Sequence, residues 1–240
     1  MPSLAFLGPA LGRHPGWVTT QGEVLANLFA SEGVEVTVSS DHVRPVARAV
    51  HHASTLIRKR HQIDLAVVSV FSGKAFMLAE ESLLIGRRLG IPCVAWLHGG
   101  NLPEWGEGNR ARVNRALASA QAVVAPTEFL ARWARGHGCD AQVIPNVLNL
   151  DAYRFRQRAE IRPRLLWMRT FQDLYAPDDA VKVLAALRGR GIDARLTMAG
   201  QDKGALESTR AVASRLDVGD WIEFPGFASG AQKTRLFDDH

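Results

Sequence analysis

Short apolar runs rich in β-branched residues alternate with segments of helical period almost from end to end of this sequence, and that alternation constrains the fold most. Strands that read as continuous apolar runs are buried on both faces, and an intervening helix is what a parallel crossover requires. The expected strands are Leu4–Leu7, Val34–Ser39, Leu65–Val70, Pro92–Leu97, Ala122–Ala125 and Gln142–Ile144, then Leu165–Met168, Leu196–Ala199 and Trp221–Phe224. Helices are expected over Gln21–Ser31, Pro45–His61, Lys74–Leu89, Arg110–Ala118, Glu128–Gly136, Pro177–Arg190 and Ala205–Leu216, with one more opening at Ala231. The fold class is α/β, with parallel sheets covered on both faces.

The period breaks once. From Pro145 to Pro163 no strong pattern holds, and Arg154, Arg156, Arg158, Arg162 and Arg164 crowd together. This predicts an N-terminal domain over residues 1–150, a linker over 151–163 and a second domain over 164–240. The second domain shows three strands before the sequence stops at His240, so it reads as the first half of a sheet with an uncovered edge.

Composition narrows the class. A hydrophobic fraction of 47% with 22% charged residues is globular, and no apolar run approaches the roughly 20 residues that span a bilayer. The apolar stretch Met1–Leu11 lacks a basic leader and is interrupted at Gly8–Pro9, so it reads as a first strand and not a signal peptide. The two cysteines, Cys93 and Cys139, form neither a metal spacing nor a disulfide framework, and the expected location is cytoplasmic. A net charge of +5 suits anionic lipid, nucleic acid or a phosphorylated substrate equally.

Ligands of open α/β sheets bind beyond the carboxyl ends of the strands, so the loops leaving the strands carry the candidates. The first, Gly8 to Trp17, is glycine-rich and opens into a helix. It is either an approach for an anion to the helix N-terminus or a long connection; it is neither a P-loop nor a GxGxxG turn. His98, followed by Gly99 and Gly100, either hydrogen-bonds a sugar hydroxyl, moves a proton near neutral pH, or is structural. The other histidines, including His51 and His52, show no carboxylate or cysteine at ligand spacing, and no metal site is expected. Arg169 directly follows a strand, where a guanidinium can clamp a diphosphate. Two further strand ends run into Gly200-Gln201-Asp202-Lys203 and Pro225-Gly226-Phe227-Ala228-Ser229.

One helix is set apart by charge. In Pro45–His61, Val46, Val50, Ala53 and Ile57 share one face, and Arg44, Arg48, His51, Arg58 and Lys59 lie largely on the other, with no acidic residue between Asp41 and Asp64. The apolar face is expected to pack on the sheet. The basic face is either solvated or in contact with anionic lipid headgroups.

Together these segments resemble the family-4 retaining glycosyltransferases, enzymes of the GT-B fold with two Rossmann-like halves. Val123-Val-Ala-Pro-Thr-Glu-Phe-Leu130 looks like that family's last N-domain strand and helix, and Val143-Ile-Pro-Asn-Val-Leu-Asn-Leu-Asp151 is similar to its interdomain signature. Leu165-Leu-Trp-Met-Arg-Thr170, Leu196-Thr-Met-Ala-Gly-Gln-Asp202 and Ile222-Glu-Phe-Pro-Gly-Phe227 resemble its first three donor-domain strands. The resemblance implies a complete N-terminal Rossmann-like domain and the first half of a second. It implies that Arg169 holds the donor diphosphate, that Gly200 and Gln201 line the donor pocket, and that Phe227, Ala228 and Lys233 flank the nucleobase. Gly16 is placed near the donor and His98 beside the reacting sugar. The implied partners are a nucleoside-diphosphate sugar and a glycan or lipid-linked acceptor, with no nucleic acid and no cofactor or metal. Peripheral contact with the inner membrane face through Pro45–His61 suits such an acceptor. Alternatives on the same fold are a nucleotide-sugar epimerase and a non-catalytic glycan-binding or partner subunit. Two departures stand out: the lysine expected about five residues after Arg169 is absent from Thr170–Ala176, and the acidic E-x7-E segment is expected beyond His240.

Overall fold

The computed structural model describes residues 2–14, 17–148, 150–153, 155, 157, 158, 160 and 162–240. The chain divides into two compact units, Met1–Leu148 and Asn149–His240. Gly16, and Arg154 and Arg156 of the expected linker, lie outside the described residues.

In chain order the first unit contains β1 (Ser3–Leu7), α1 (Gln21–Ser31), β2 (Glu35–Ser39), α2 (Pro45–Arg58), β3 (Leu65–Val70) and α3 (Lys74–Leu89). It continues with β4 (Cys93–Leu97), α4 (Leu102–Glu107), α5 (Arg110–Leu117), β5 (Ala122–Ala125), α6 (Glu128–Gly136) and β6 (Ala141–Val143). The second unit contains β7 (Arg164–Met168), α7 (Pro177–Gly189), β8 (Arg195–Ala199), α8 (Leu206–Arg215), β9 (Ile222–Gly226) and α9 (Gly230–Asp239). Sequence pattern placed these elements to within a few residues, except α4. That helix spans only Leu-Pro-Glu-Trp-Gly-Glu, too short for a period to show; a proline in its first turn and the buried Leu102 hold it in place.

The first sheet is parallel with strand order β2-β1-β3-β4-β5-β6. The order reverses between β1 and β3, which makes their carboxyl ends the topological switch point where such folds bind ligands. Its core is continuous: Leu7, Val68, Val70, Phe76, Leu83, Leu97 and Leu117 are all essentially inaccessible. Each such side chain contributes roughly 1.5–3 kcal/mol by leaving water. The second sheet is parallel, β7-β8-β9, over a separate core that includes Phe171, Val181, Leu184 and Met198. Helix α7 starts with Pro177 and two aspartates and carries Arg188 in its last turn, complementing the macrodipole as expected.

Helix α2 departs from expectation. His52, Thr55 and Leu56 form its inner face, so the Val46, Val50 and Ile57 side chains turn outward and are 77%, 64% and 54% exposed. The expected packing of that apolar face on the sheet is therefore wrong. Periodicity detects an apolar stripe but cannot say which of two neighbouring stripes is inward. The basic face is also partly committed. Arg48 donates from Nε and Nη2 to the His42 carbonyl at 3.1 and 2.9 Å, and Lys59 Nζ donates to Thr37 Oγ1 at 2.9 Å.

Candidate functional site

In the second unit, the three strand ends singled out by sequence adjoin one another because β7, β8 and β9 pair in that order. Arg169 leaves β7 with its amide donating to the Ala199 carbonyl at 3.1 Å, and the Gly200 amide donates to the Gly226 carbonyl at 2.9 Å. The ladder continues past the strands. The Phe171 amide donates to the Gln201 carbonyl at 2.8 Å, and the Lys203 amide returns to the Phe171 carbonyl at 2.9 Å. The loops after β7 and β8 are thus zipped together beneath the exposed Arg169 side chain. Glycine at 200 is required by contact: a Cβ there would lie 1.7 Å from the Arg169 carbonyl oxygen. Gly226 is required by conformation, with φ of +79° at the turn into Phe227 and the buried Ala228.

Two residues that sequence reasoning did not single out organise this edge. Phe171 is 1% exposed and packs on Trp167 and Phe224 at ring-centroid distances of 4.7 and 6.1 Å, anchoring the loop that carries Arg169. Tyr175 lies under the Arg169 guanidinium, 4.2 Å from carbon to ring centroid. It falls in the stretch where a lysine was expected, and it positions the existing cation without adding a second one. An apolar residue two places after Arg169 was the available signal for Phe171; nothing local marked Tyr175. Lys233 lies on α9 with its Nζ 5.4 Å from the Tyr153 ring centroid and 6.0 Å from that of Phe237. No described contact joins it to Phe227 or Ala228.

The helix N-termini at this edge differ. Asp202 Oδ1 accepts from the Gly204 and Leu206 amides at 2.8 and 3.2 Å, so α8 is capped from within. Helix α9, which follows Phe227-Ala228-Ser229, has no side-chain cap and no acid in its first turn. A more open cavity lined by Arg210, Ser214, Asp217, Asp220, Ile222 and Phe224 includes the residue that begins β9, at the other end of the strand from these groups.

In the first unit, His98 sits at the carboxyl end of β4, 7% exposed, stacked on Phe71 at 4.8 Å and against Trp96 at 4.6 Å. Burial pushes its pKa down to about 4, so it is neutral at physiological pH, and its Nε2 is closed from solvent without a hydrogen-bond partner. The side chain is therefore a neutral imidazole with one ring nitrogen unpaired among the described residues.

The described part of the loop after β1 is tied to the helix it leads into. Thr20 and Glu23 form a capping box at α1, and Glu23 Oε1 also accepts the Gly12 amide at 3.0 Å. The anion at that helix N-terminus is the chain's own carboxylate. A small cavity at the switch point is lined by Gly8, Arg48, His52, Ser69 and Phe71 among others. Asp41, His42 and His51, for which the sequence showed no ligand spacing, bring one ligand atom each within 4.8 Å of one another.

The six-stranded and three-stranded parallel sheets are those of an α/β protein of the GT-B, Rossmann-like fold. Residues 21–152 match the Glycosyltransferase Family 4 profile, more than half of the chain, and the chain belongs to that family. Among solved structures it is similar to a glycosyltransferase from Rickettsia africae ESF-5, with a TM-score of 0.61 and 12% identity over 98% of this chain and 70% of that one. It is also similar to S. aureus MnaA in complex with UDP, with a TM-score of 0.60 and 12% identity over 100% of this chain and 71% of that one. A third likeness is the UDP-GlcNAc 2-epimerase of Neisseria meningitidis bound to UDP-GlcNAc, with a TM-score of 0.54 and 13% identity over 98% and 75% of the two chains. At such identities these structures establish the fold. No curated protein sequence matches the chain.

Proposed function

We propose that the protein transfers a hexose from a nucleoside-diphosphate sugar to a hydroxyl of a glycan or lipid-linked acceptor, with retention of anomeric configuration. The observation that carries this reading is the convergence of Arg169, Gly200-Gln201 and Phe227-Ala228 on adjoining carboxyl ends of β7, β8 and β9. In this reading Arg169 donates charge-assisted hydrogen bonds to the diphosphate, and Tyr175 holds the guanidinium in place. Gly200 lets the ends of β7 and β8 approach closely enough for Arg169 and Gln201 to line one donor pocket, and Phe227 with Ala228 offers an apolar face to the base. Leaving-group stabilisation is the main catalytic task, because charge grows on the diphosphate oxygens as the glycosidic bond breaks. In this reading His98 lies beside the reacting sugar as a neutral imidazole, held between Phe71 and Trp96.

The acceptor class suits a protein that works at a membrane surface. No described helix is long and apolar enough to cross a bilayer. The outward Val46, Val50 and Ile57 of α2, with exposed Arg44, Arg58 and Arg60 nearby and no acid between Asp41 and Asp64, offer a face for anionic headgroups.

The epimerase reading is kept by the fold likeness to the UDP-GlcNAc 2-epimerase. One assay separates the two: incubation with a panel of nucleotide sugars, with and without lipid-linked or glycan acceptors, followed by chromatography. Acceptor-dependent release of nucleoside diphosphate with a glycosylated product supports transfer. Conversion of one nucleotide sugar to its epimer without acceptor supports the second reading, and neither product refutes both.

A further inference from the structure

Asp41, His42 and His51 lie outside the groups assigned to donor binding, and their chemistry is that of a metal site. Strand β2 ends at Ser39, and the chain then turns so that Asp41 and His42 meet the second turn of α2, which carries His51. The ligand spacing, Asp-His followed nine residues later by His, matches no short metal motif. The fold supplies the proximity instead: one ligand atom from each residue lies within 4.8 Å of the others.

Three features make this more than a chance gathering of polar side chains. First, the two imidazole centroids are 5.2 Å apart with the rings tilted by 62°. Two imidazoles bound at tetrahedral zinc, with Zn–N bonds near 2.05 Å, have centroids about 5.2 Å apart. Second, His51 Nδ1 is closed from solvent and has no hydrogen-bond partner among the described residues. Third, the turn is held before any ion arrives. The Ser40 amide donates to the Gly8 carbonyl at 2.8 Å, the Ala10 amide to the Ser40 carbonyl at 2.9 Å, and the His42 amide to Ser40 Oγ at 3.1 Å. His14 Nε2 lies 3.0 Å from the Asp41 carbonyl oxygen, and the Arg48 guanidinium donates to the His42 carbonyl. These bonds fix the backbone on both sides of the two adjacent ligands, the kind of support that orients metal-binding side chains.

We propose that Asp41, His42 and His51 bind one divalent transition-metal ion of borderline softness, with zinc the best match. Two neutral imidazoles and one carboxylate suit zinc, cobalt or nickel and not calcium or magnesium, which take oxygen ligands. The Asp41 carboxylate supplies the negative charge that a dication beside the Arg48 guanidinium needs. Three protein ligands leave a fourth position for water. The bound ion ties the turn after β2 to α2 at the carboxyl edge of the first sheet, and no step of sugar transfer passes through it. Closing the ligand atoms from their present spacing to the roughly 3.3 Å of a tetrahedral shell is within side-chain rotation, because Asp41 and His42 are exposed.

The test uses the untagged full chain, stripped with chelator and titrated with zinc in competition with a chromophoric chelator. We expect one equivalent to bind saturably. We expect Asp41→Asn, His42→Ala and His51→Ala each to weaken binding by at least about 10-fold, and His61→Ala to leave it unchanged. Cobalt in place of zinc should give the visible absorption of a tetrahedral site in the wild type and lose it in His42→Ala, an exposed position whose replacement leaves the fold intact. Absence of saturable binding at micromolar zinc overturns the proposal. So does binding that His42→Ala and Asp41→Asn leave at wild-type strength.

Discussion

Gly200→Ala places one methyl group where the structure leaves no room, and its consequences follow from two distances. The new Cβ would sit 1.7 Å from the Arg169 carbonyl oxygen and 2.7 Å from its carbon. Relief requires the two strand ends to separate by about 1.5 Å, because the opposing atoms are backbone and cannot rotate away. That movement breaks or stretches the bonds from the Arg169 amide to Ala199 and from the Gly200 amide to Gly226, now 3.1 and 2.9 Å. Overpacking costs about 1–3 kcal/mol and each of the two weakened hydrogen bonds about 1 kcal/mol, so a loss of about 3–5 kcal/mol is expected in the second unit. Gly226→Ala is the comparison: nothing lies within 4 Å of its Cβ, but φ is +79°, so it costs about 1–2 kcal/mol of strain without displacing Arg169. Hydrogen exchange read by mass spectrometry localises both effects, and nucleoside-diphosphate titration reads the position of Arg169. We expect Gly200→Ala to deprotect peptides of residues 164–226 and to weaken nucleotide binding beyond Gly226→Ala. Wild-type protection together with wild-type nucleotide affinity in Gly200→Ala would refute the reasoning.

Acid should destabilise the first unit through His52 and His98, whose pKa values burial lowers to about 4. The unfolded chain binds the extra protons first, so stability is full above pH 6.5 and falls toward pH 4 by up to about 3 kcal/mol per histidine. Chemical denaturation across that range should show a slope that His98→Asn reduces. Glu80 is 6% exposed and accepts from Arg112 Nε and from Arg115 Nη2. Burial favours its neutral form, but the two guanidinium bonds win and hold its pKa below the usual value, so its contribution is lost only as pH falls through that lowered pKa. Glu80→Gln should cost about 1–3 kcal/mol at neutral pH in urea melts, and an unchanged midpoint would show the pair to be inert. Sedimentation should find more protein on anionic than on neutral vesicles, and Val46→Asp with Val50→Asp should abolish the difference; equal binding to both vesicle types would return α2 to a solvated surface helix.

Alternation of apolar strands and helices made the architecture legible because a parallel sheet buried on both faces leaves few other ways to write it. The strand ends were legible for the same reason, since Arg169 and Gly200 each follow an apolar run directly and Gly226 follows one after Pro225. What sequence could not supply was orientation and distance. The apolar stripe of α2 was visible in Val46, Val50 and Ile57, but Leu56 and Thr55 won the inner face. Glu23 drew no reading from the sequence, and only the folded loop shows it capping α1 and accepting the Gly12 amide. His98 carries no local mark of its burial between Phe71 and Trp96, because Phe71 arrives from another strand. Asp41 and His51 are separated by a turn and a helix start, and their meeting is a property of the fold alone.

The proposed activity rests most directly on Arg169 as the grip on a nucleoside diphosphate. Isothermal titration of the full chain with UDP, GDP and ADP, repeated with Arg169→Ala and with circular dichroism to confirm an unchanged fold, measures that claim. At least one nucleotide should bind saturably, and loss of the charge-assisted contact should weaken it by about 2–3 kcal/mol, on the order of 30- to 150-fold. Saturable binding that Arg169→Ala leaves at wild-type strength, or no binding of any of the three nucleotides, would contradict it.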